Sequence, residues 1–240
     1  MKSTPLLLLS LLVITPSMAQ AFGNANAKIA LHLTPTFTSQ TCTRSEANPS
    51  CDDIDTSGGL YPTVYFAHLL ITDGSASEGV AGALFGIQYD AGPGSGVDIY
   101  TWTLCATLEL QSGGWPASGG SNLISWDTST RCQRNEPGGP GTGVVAHCGY
   151  FYCASYGSDS IRVGYFNRPS HPSQHRKVIV ANCAAQEDLI DSQDAPKSPS
   201  PLGSVAFSAN GLAEGFNPCA KVVPVQTTTW SAIKSRTEQP

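Results

Sequence analysis

Nine short stretches of this chain either alternate apolar and polar side chains with a period of two or carry runs of β-branched and aromatic residues. They lie at 29–33, 63–72, 80–90, 97–110, 123–126, 143–155, 160–166, 177–184 and 205–209. Either pattern predicts a strand. Turn-forming clusters separate them: Asp73-Gly74, residues 91–94, Gly113-Gly114, Gly119-Gly120 and residues 137–140. Short strands so punctuated predict an all-β fold, an antiparallel β-sandwich of Ig-like or jelly-roll-like type with almost no helix.

Two stretches declare their faces. In 97–110, Trp102, Leu104, Ala106, Leu108 and Leu110 share the side expected to enter the core. Thr101, Thr103, Thr107 and Glu109 take the watery side, and Cys105 falls with them. In 80–90, Ala83, Phe85, Ile87 and Tyr89 form the apolar face, while Gly82 and Gly86 lie opposite, where a close neighbour fits. His68 shares a side with Val64, Phe66 and Leu70, which predicts a hydrogen-bonded core histidine. The best helical pattern is at 228–235, where a threonine caps a turn and Trp230 and Ile233 pack on the sandwich; the alternative is a frayed tail over 224–240. Residues 187–202, acidic and then rich in Ser and Pro, predict a long solvated loop. No internal repeat or composition shift divides residues 22–240, which are expected to form a single large domain.

The N-terminus changes the picture of where the chain works. Lys2, an apolar run from Leu6 to Ile14 and the small-x-small Ala19-Gln20-Ala21 predict a signal peptide over residues 1–21. The run is too short to span a membrane, and no later stretch approaches the roughly 20 apolar residues a span needs. The mature chain is therefore expected in the periplasm or outside the cell. Losing Lys2 moves the net charge from −5 to −6. So acidic a chain, poor in Lys and Arg, lacks the electrostatic footprint of a nucleic-acid or anionic-lipid binder.

Eight cysteines, Cys42, Cys51, Cys105, Cys132, Cys148, Cys153, Cys183 and Cys219, predict disulfide staples in that oxidising setting. Cys42 with Cys51 would close a local ring, Cys105 with Cys132 would tie a strand end, and Cys183 with Cys219 would staple the last third. Cys148 and Cys153 stand about 16 Å apart along one regular strand, on opposite faces, so each needs another partner. A metal is the rival reading, with His147, Cys148, Cys153 and the His171/His175 pair as ligands. The close ligand pairs of a zinc finger are missing, and Pro169 and Pro172 place those two histidines in a loop.

Two sites are expected to touch ligands. Asp53, Asp55 and Ser57, ahead of Gly58, match the first half of a calcium loop, but its closing glutamate position holds Val64; a surface turn is the alternative. No cofactor other than calcium is suggested. Tyr150, Tyr152 and Tyr156 line one face of their strand, Tyr165 and Phe166 lie in the next, and Trp115 sits in a Gly-rich loop. Exposed rings in a row stack on sugars, whereas the same spacing also suits a core. The nucleophile elbow G-x-S-x-G and the zinc-protease H-E-x-x-H are absent, and a carboxylate pair such as Glu109 and Asp127 would have to be assembled by loops.

Residues 79–90, Gly79-Val80-Ala81-Gly82 through Tyr89-Asp90, resemble a strand of cohesin-like bacterial β-sandwich modules: a G-x-x-G start, alternating apolar residues and a closing Tyr-Asp. The chain departs at Ala91-Gly92-Pro93-Gly94 and in its many cysteines, and is otherwise similar to exported bacterial β-sandwich proteins. The resemblance implies a jelly-roll-like scaffold binding another protein through a sheet face; no binding residue carries over. The expectation is a secreted, non-catalytic module with a binding, adhesive or structural role toward a protein or glycan at the cell surface. Carbohydrate binding and a loop-built secreted hydrolase are its alternatives.

Overall fold

The computed structural model describes residues 23–37, 41–90, 93–112, 114–135 and 143–219. The expected signal peptide, the helix at 228–235 and the tail at 224–240 lie outside them. Strands follow in chain order: β1 (Lys28–Pro35), β2 (Ser57–Gly58), β3 (Val64–Gly74), β4 (Gly82–Gln88), β5 (Val97–Leu104), β6 (Leu108–Gln111), β7 (Ser121–Ser125), β8 (Val144–Ser155), β9 (Asp159–Gly164), β10 (Lys177–Ala181), β11 (Glu187–Ser192) and β12 (Ser204–Phe207). Among the described residues, helical geometry is confined to three single 3-10 turns between residues 41 and 53.

The strands form a disulfide-stapled antiparallel β-sandwich. One sheet has the order β1-β3-β8-β5. In the other, β4 pairs with β7 on one edge, and β7 with β6. The other edge of β4 pairs first with β10 and then with β9, which lead on to β11 and to β12 with the short β2. Among the described residues, the two-residue β12–β2 ladder and the isolated bridge Ile29–Leu202 are parallel, and the other ladders are antiparallel. Between the sheets, Ile29, Leu31, Leu69, Ile71 and Phe151 meet Phe85, Ile87, Ile124, Ile161 and Phe207, all at 0–1% exposure. Each such side chain removed from water contributes about 1.5–3 kcal/mol, which conformational entropy largely offsets. Gly86 lies where expected, opposite the apolar face, with the backbone of Tyr165 against it where a Cβ would clash.

Two expectations about the strands fail. The stretch 97–110 is two strands, because the chain leaves the first sheet at Cys105, whose N–H bonds Cys148 O, and joins the second at Thr107, whose N–H bonds Ser125 O. Leu108 and Leu110 are consequently exposed, at 54% and 53%. The loop expected at 187–202 begins with strand β11. Its period of two is disguised by buried acids: Asp188 accepts the Asn24 N–H, Asp191 accepts the Lys197 N–H and the Tyr165 hydroxyl, and Ile190 enters the core.

All three expected disulfide pairings fail as well. The bonds are Cys42–Cys105, Cys51–Cys219 and Cys132–Cys183, while Cys148 and Cys153 are free, buried thiols. Sequence proximity favoured local rings, whereas the fold brings together cysteines 51 to 168 positions apart. Closing loops that long restricts the unfolded chain by about 4–5 kcal/mol each. Gly79, at φ +68°, touches Cys183, so both the turn and the space for that staple require glycine.

Candidate functional site

Two β-bulges decide what the outer face of the four-stranded sheet presents. In β8, Cys148 is the extra residue between the pairs Leu69–Gly149 and Leu70–His147. The parity of the strand reverses there, so Cys148 and Cys153 both point into the core rather than to opposite faces. Past it, Tyr150 and Tyr152 point outward with His147. In β5, Tyr100 is the extra residue between the pairs Ile99–Cys153 and Thr101–Tyr152. Strict alternation would group Tyr100 with the inward Trp102; the bulge turns it to solvent.

The outer face then carries rows set by register. Thr34, Phe66, Tyr152 and Thr101 form one, and His32, His68, Tyr150 and Thr103 the next. The segment 41–55 lies over the β1 side of this face, held by the Cys42–Cys105 and Cys51–Cys219 bonds. Among the described residues the middle of β5 is open, with Tyr100 and Thr101 exposed. Ring centroids follow one another at 5.3 Å for Phe37–Phe66, 5.9 Å for Phe66–Tyr152 and 5.3 Å for Tyr152–Tyr100. The Tyr100 hydroxyl meets that of Tyr156 at 2.8 Å, and Tyr156 stacks on Tyr61 at 4.9 Å. Backbone bonds place these last two: Tyr61 N–H to Ser155 O and Tyr156 N–H to Gly96 O. Tyr61, Tyr100 and Tyr156 are 56%, 43% and 39% exposed, and Phe66, Tyr150 and Tyr152 are half-buried. The hydroxyl pairing with Tyr156 pushes the Tyr100 phenol above its ordinary value.

Under the covering segment, hydrogen bonding fixes every histidine tautomer. Cys42 O can only accept, so His147 donates from Nδ1 at 3.3 Å and its Nε2 is bare. His68 therefore donates from Nδ1 to that nitrogen at 3.1 Å, and its own Nε2 accepts the Thr34 hydroxyl at 2.9 Å. His32 accepts the Asp55 N–H at Nδ1 and donates from Nε2 to Glu46 O. Burial holds all three rings below the ordinary histidine value, His147 at about 4 and His68, with its histidine neighbours adding to the effect, at about 2. These rings are neutral, occupied structural groups that seat the segment 41–55 on the sheet. The core histidine expected at position 68 is buried and bonded, under this cover rather than between the sheets.

The other expected site residues scatter. Trp115, expected on a ligand surface, is 8% exposed and packs in the core against Phe85, Trp102 and Phe151. Its loop folds inward because the indole fills space between the sheets. Tyr165 and Phe166 follow β9 in the other sheet, away from the tyrosines of β8. Asp53 accepts the Ser50 hydroxyl and Asp55 caps the Ser57 N–H, the bonds of local turns. His147 faces outward while Cys148 and Cys153 face inward, and His171 and His175 close a turn. Among the described residues, no three His, Cys, Asp or Glu side chains converge as a metal centre requires. Burial pushes both free thiols up, Cys153 to about 12 and Cys148 further, so neither is a nucleophile at neutral pH. Glu109 is engaged by Trp102, Asn122 and Gln111, and Asp127 is held at about 2 by donors from Ser129 and Thr130.

On the opposite side of the sandwich, register aligns Leu110, Leu123, Leu84, Ile179 and Leu189 across five strands. A cavity of about 380 Å³ is lined by Leu84, Leu123 and Ile179 of this row, together with Gly82 and Ala181. The two outer faces thus differ in kind, one aromatic and one aliphatic.

No protein-family model matches the chain, and no curated protein matches it. Among solved structures it is similar to a cohesin module from a family 33 glycoside hydrolase of Clostridium perfringens, with 7% identity and a TM-score of 0.37. The match covers 76% of this chain and 98% of that one. The resemblance is structural, weak and partial.

Proposed function

We propose that this protein is an exported, non-catalytic binding module that recognises carbohydrate through the aromatic strip on its four-stranded sheet. The observation that carries the reading is the contiguous run Phe66, Tyr152, Tyr100, Tyr156 and Tyr61, whose last three rings are exposed among the described residues while the neighbouring part of the same face lies under the segment 41–55. Flat rings take up the apolar faces of sugars, and phenolic hydroxyls at their edges supply hydrogen bonds. Three disulfides support export, since such bonds persist in oxidising compartments. Structural engagement of the histidines, of Glu109 and of Asp127 supports a module that holds its ligand without transforming it.

Native electrophoresis through gels containing soluble polysaccharides tests the reading. At least one polysaccharide is expected to retard the protein, and the double variant Tyr100→Ala/Tyr156→Ala is expected to run as in a plain gel. Retardation that survives this variant, or none across a broad panel, overturns the proposal.

A further inference from the structure

The strip has an electrostatic frame that narrows its ligand. At the Tyr100 end stands Asp98, paired across the ladder with Ala154 on the outer face and close enough to raise the Tyr100 phenol. At the Phe37 end opens a cleft of about 640 Å³, whose lining includes Thr34, Phe37, Glu46, Asp53 and Asp55. Arg44 lies 4.3 Å over the Phe37 ring, but its charge is matched by Glu46 at 2.9 Å. The histidines beneath are neutral. Among the described residues of this frame, one cation, matched by Glu46, stands with three further carboxylates, in a chain of net charge −5. At low ionic strength such a surface repels a polyanion over a Debye length of about 10 Å or more. Carboxylates accept hydrogen bonds from neutral hydroxyls at no such cost.

The strip is also longer than one sugar. Its rings come from β3, β8 and β5, neighbouring strands about 4.8 Å apart, and continue through Tyr156 to Tyr61. Separate rings at spacings of 5.3 and 5.9 Å can hold successive units of one chain at the same time. Each added unit that reaches a further ring adds binding without a new loss of translational freedom.

We infer that the ligand is a neutral oligo- or polysaccharide bound along several consecutive units, not an anionic glycan and not a single sugar. The inference rests on the carbohydrate reading above and adds charge and length to it.

Gels containing hydroxyethylcellulose, xylan or galactomannan, set against gels containing polygalacturonate or alginate, test the charge at low salt. Calorimetric titration with the matching oligosaccharides, from one unit to six, tests the length. Retardation by a neutral polymer, none by the polyanions, and affinity rising about tenfold or more between two units and five are expected. The double variant Glu46→Gln/Asp98→Asn frees Arg44 and is expected to let a polyanion retard the protein. Stronger retardation by polyanions, or a monosaccharide binding as tightly as the pentamer, overturns this inference and leaves carbohydrate binding standing. Retardation by none of the polymers overturns both. An unchanged melting temperature in Tyr100→Ala and Leu108→Ala shows the variants folded, and Leu108→Ala, on the other sheet, is expected to bind normally.

Discussion

Replacing His68 and His147 together by glutamine removes two ionisable rings and leaves a polar amide at each position. A glutamine amide can accept the Thr34 hydroxyl at one end and donate to Cys42 O at the other. Burial lowers both folded-state values, to about 2 and about 4, below the ordinary value near 6.5 of the unfolded chain. A depressed histidine is neutral in both states above pH 6.5, where its contribution to stability is fully present. As pH falls below 6.5 the unfolded chain takes up protons that the folded protein refuses, and stability is lost until the folded values are reached. Between pH 7.5 and 5.5 the loss is about 1.4 kcal/mol per ring, set by the unfolded value alone while both rings stay neutral when folded. The wild type should therefore lose about 2.7 kcal/mol over that interval from this pair, with His32, lowered by burial as well, adding to it. Urea unfolding at pH 7.5, 6.5 and 5.5, followed by tryptophan fluorescence, measures it. The double variant should lose that much less. Equal pH dependence in the two proteins, or a wild type more stable at pH 5.5, would refute the assignment of these rings as buried and neutral.

Other consequences reach the rest of the molecule. Trp115→Ala should destabilise by about 3–5 kcal/mol in urea unfolding, the cost of emptying a core site, without changing carbohydrate retention in native gels. Tyr100→Ala with Tyr156→Ala should weaken ligand affinity about tenfold or more by calorimetry, with a melting temperature within about 2 °C of wild type. Non-reducing peptide mapping should recover Cys42–Cys105, Cys51–Cys219 and Cys132–Cys183, with two thiols that react with Ellman's reagent only after denaturation. Cys51→Ser with Cys219→Ser should lower stability by about 4–5 kcal/mol, because the bond closes a loop of 168 positions.

The strand pattern was legible because alternation is local: β4 keeps Ala83, Phe85 and Ile87 inward, as its sequence implies. What escaped the sequence depends on interruptions of that period. The bulge at Cys148 places two cysteines on the same face, and the bulge at Tyr100 exposes a tyrosine that parity assigned to the core. Neither leaves a mark in composition, since an extra residue in a ladder is defined by its partner strand. Tyr150, Tyr152 and Tyr156 were identifiable as a group, whereas Tyr61 joins them from a separate turn, through a contact with Tyr156 that no spacing rule predicts. Trp115 misled because a Gly-Gly-Trp-Pro loop looks like a surface feature, yet the indole is large enough to be drawn inward. The disulfides failed for a related reason: loop length says little about which distant segments a sandwich brings side by side.

Backbone amide shifts on adding a neutral pentasaccharide report which face of the sandwich the ligand touches. Saturable shifts are expected at Tyr61, Phe66, Tyr100, Tyr152 and Tyr156, with Leu84, Leu123, Ile179 and Leu189 unmoved. Shifts confined to that aliphatic row, or a spectrum unchanged at millimolar neutral pentasaccharides of several linkages, would contradict it.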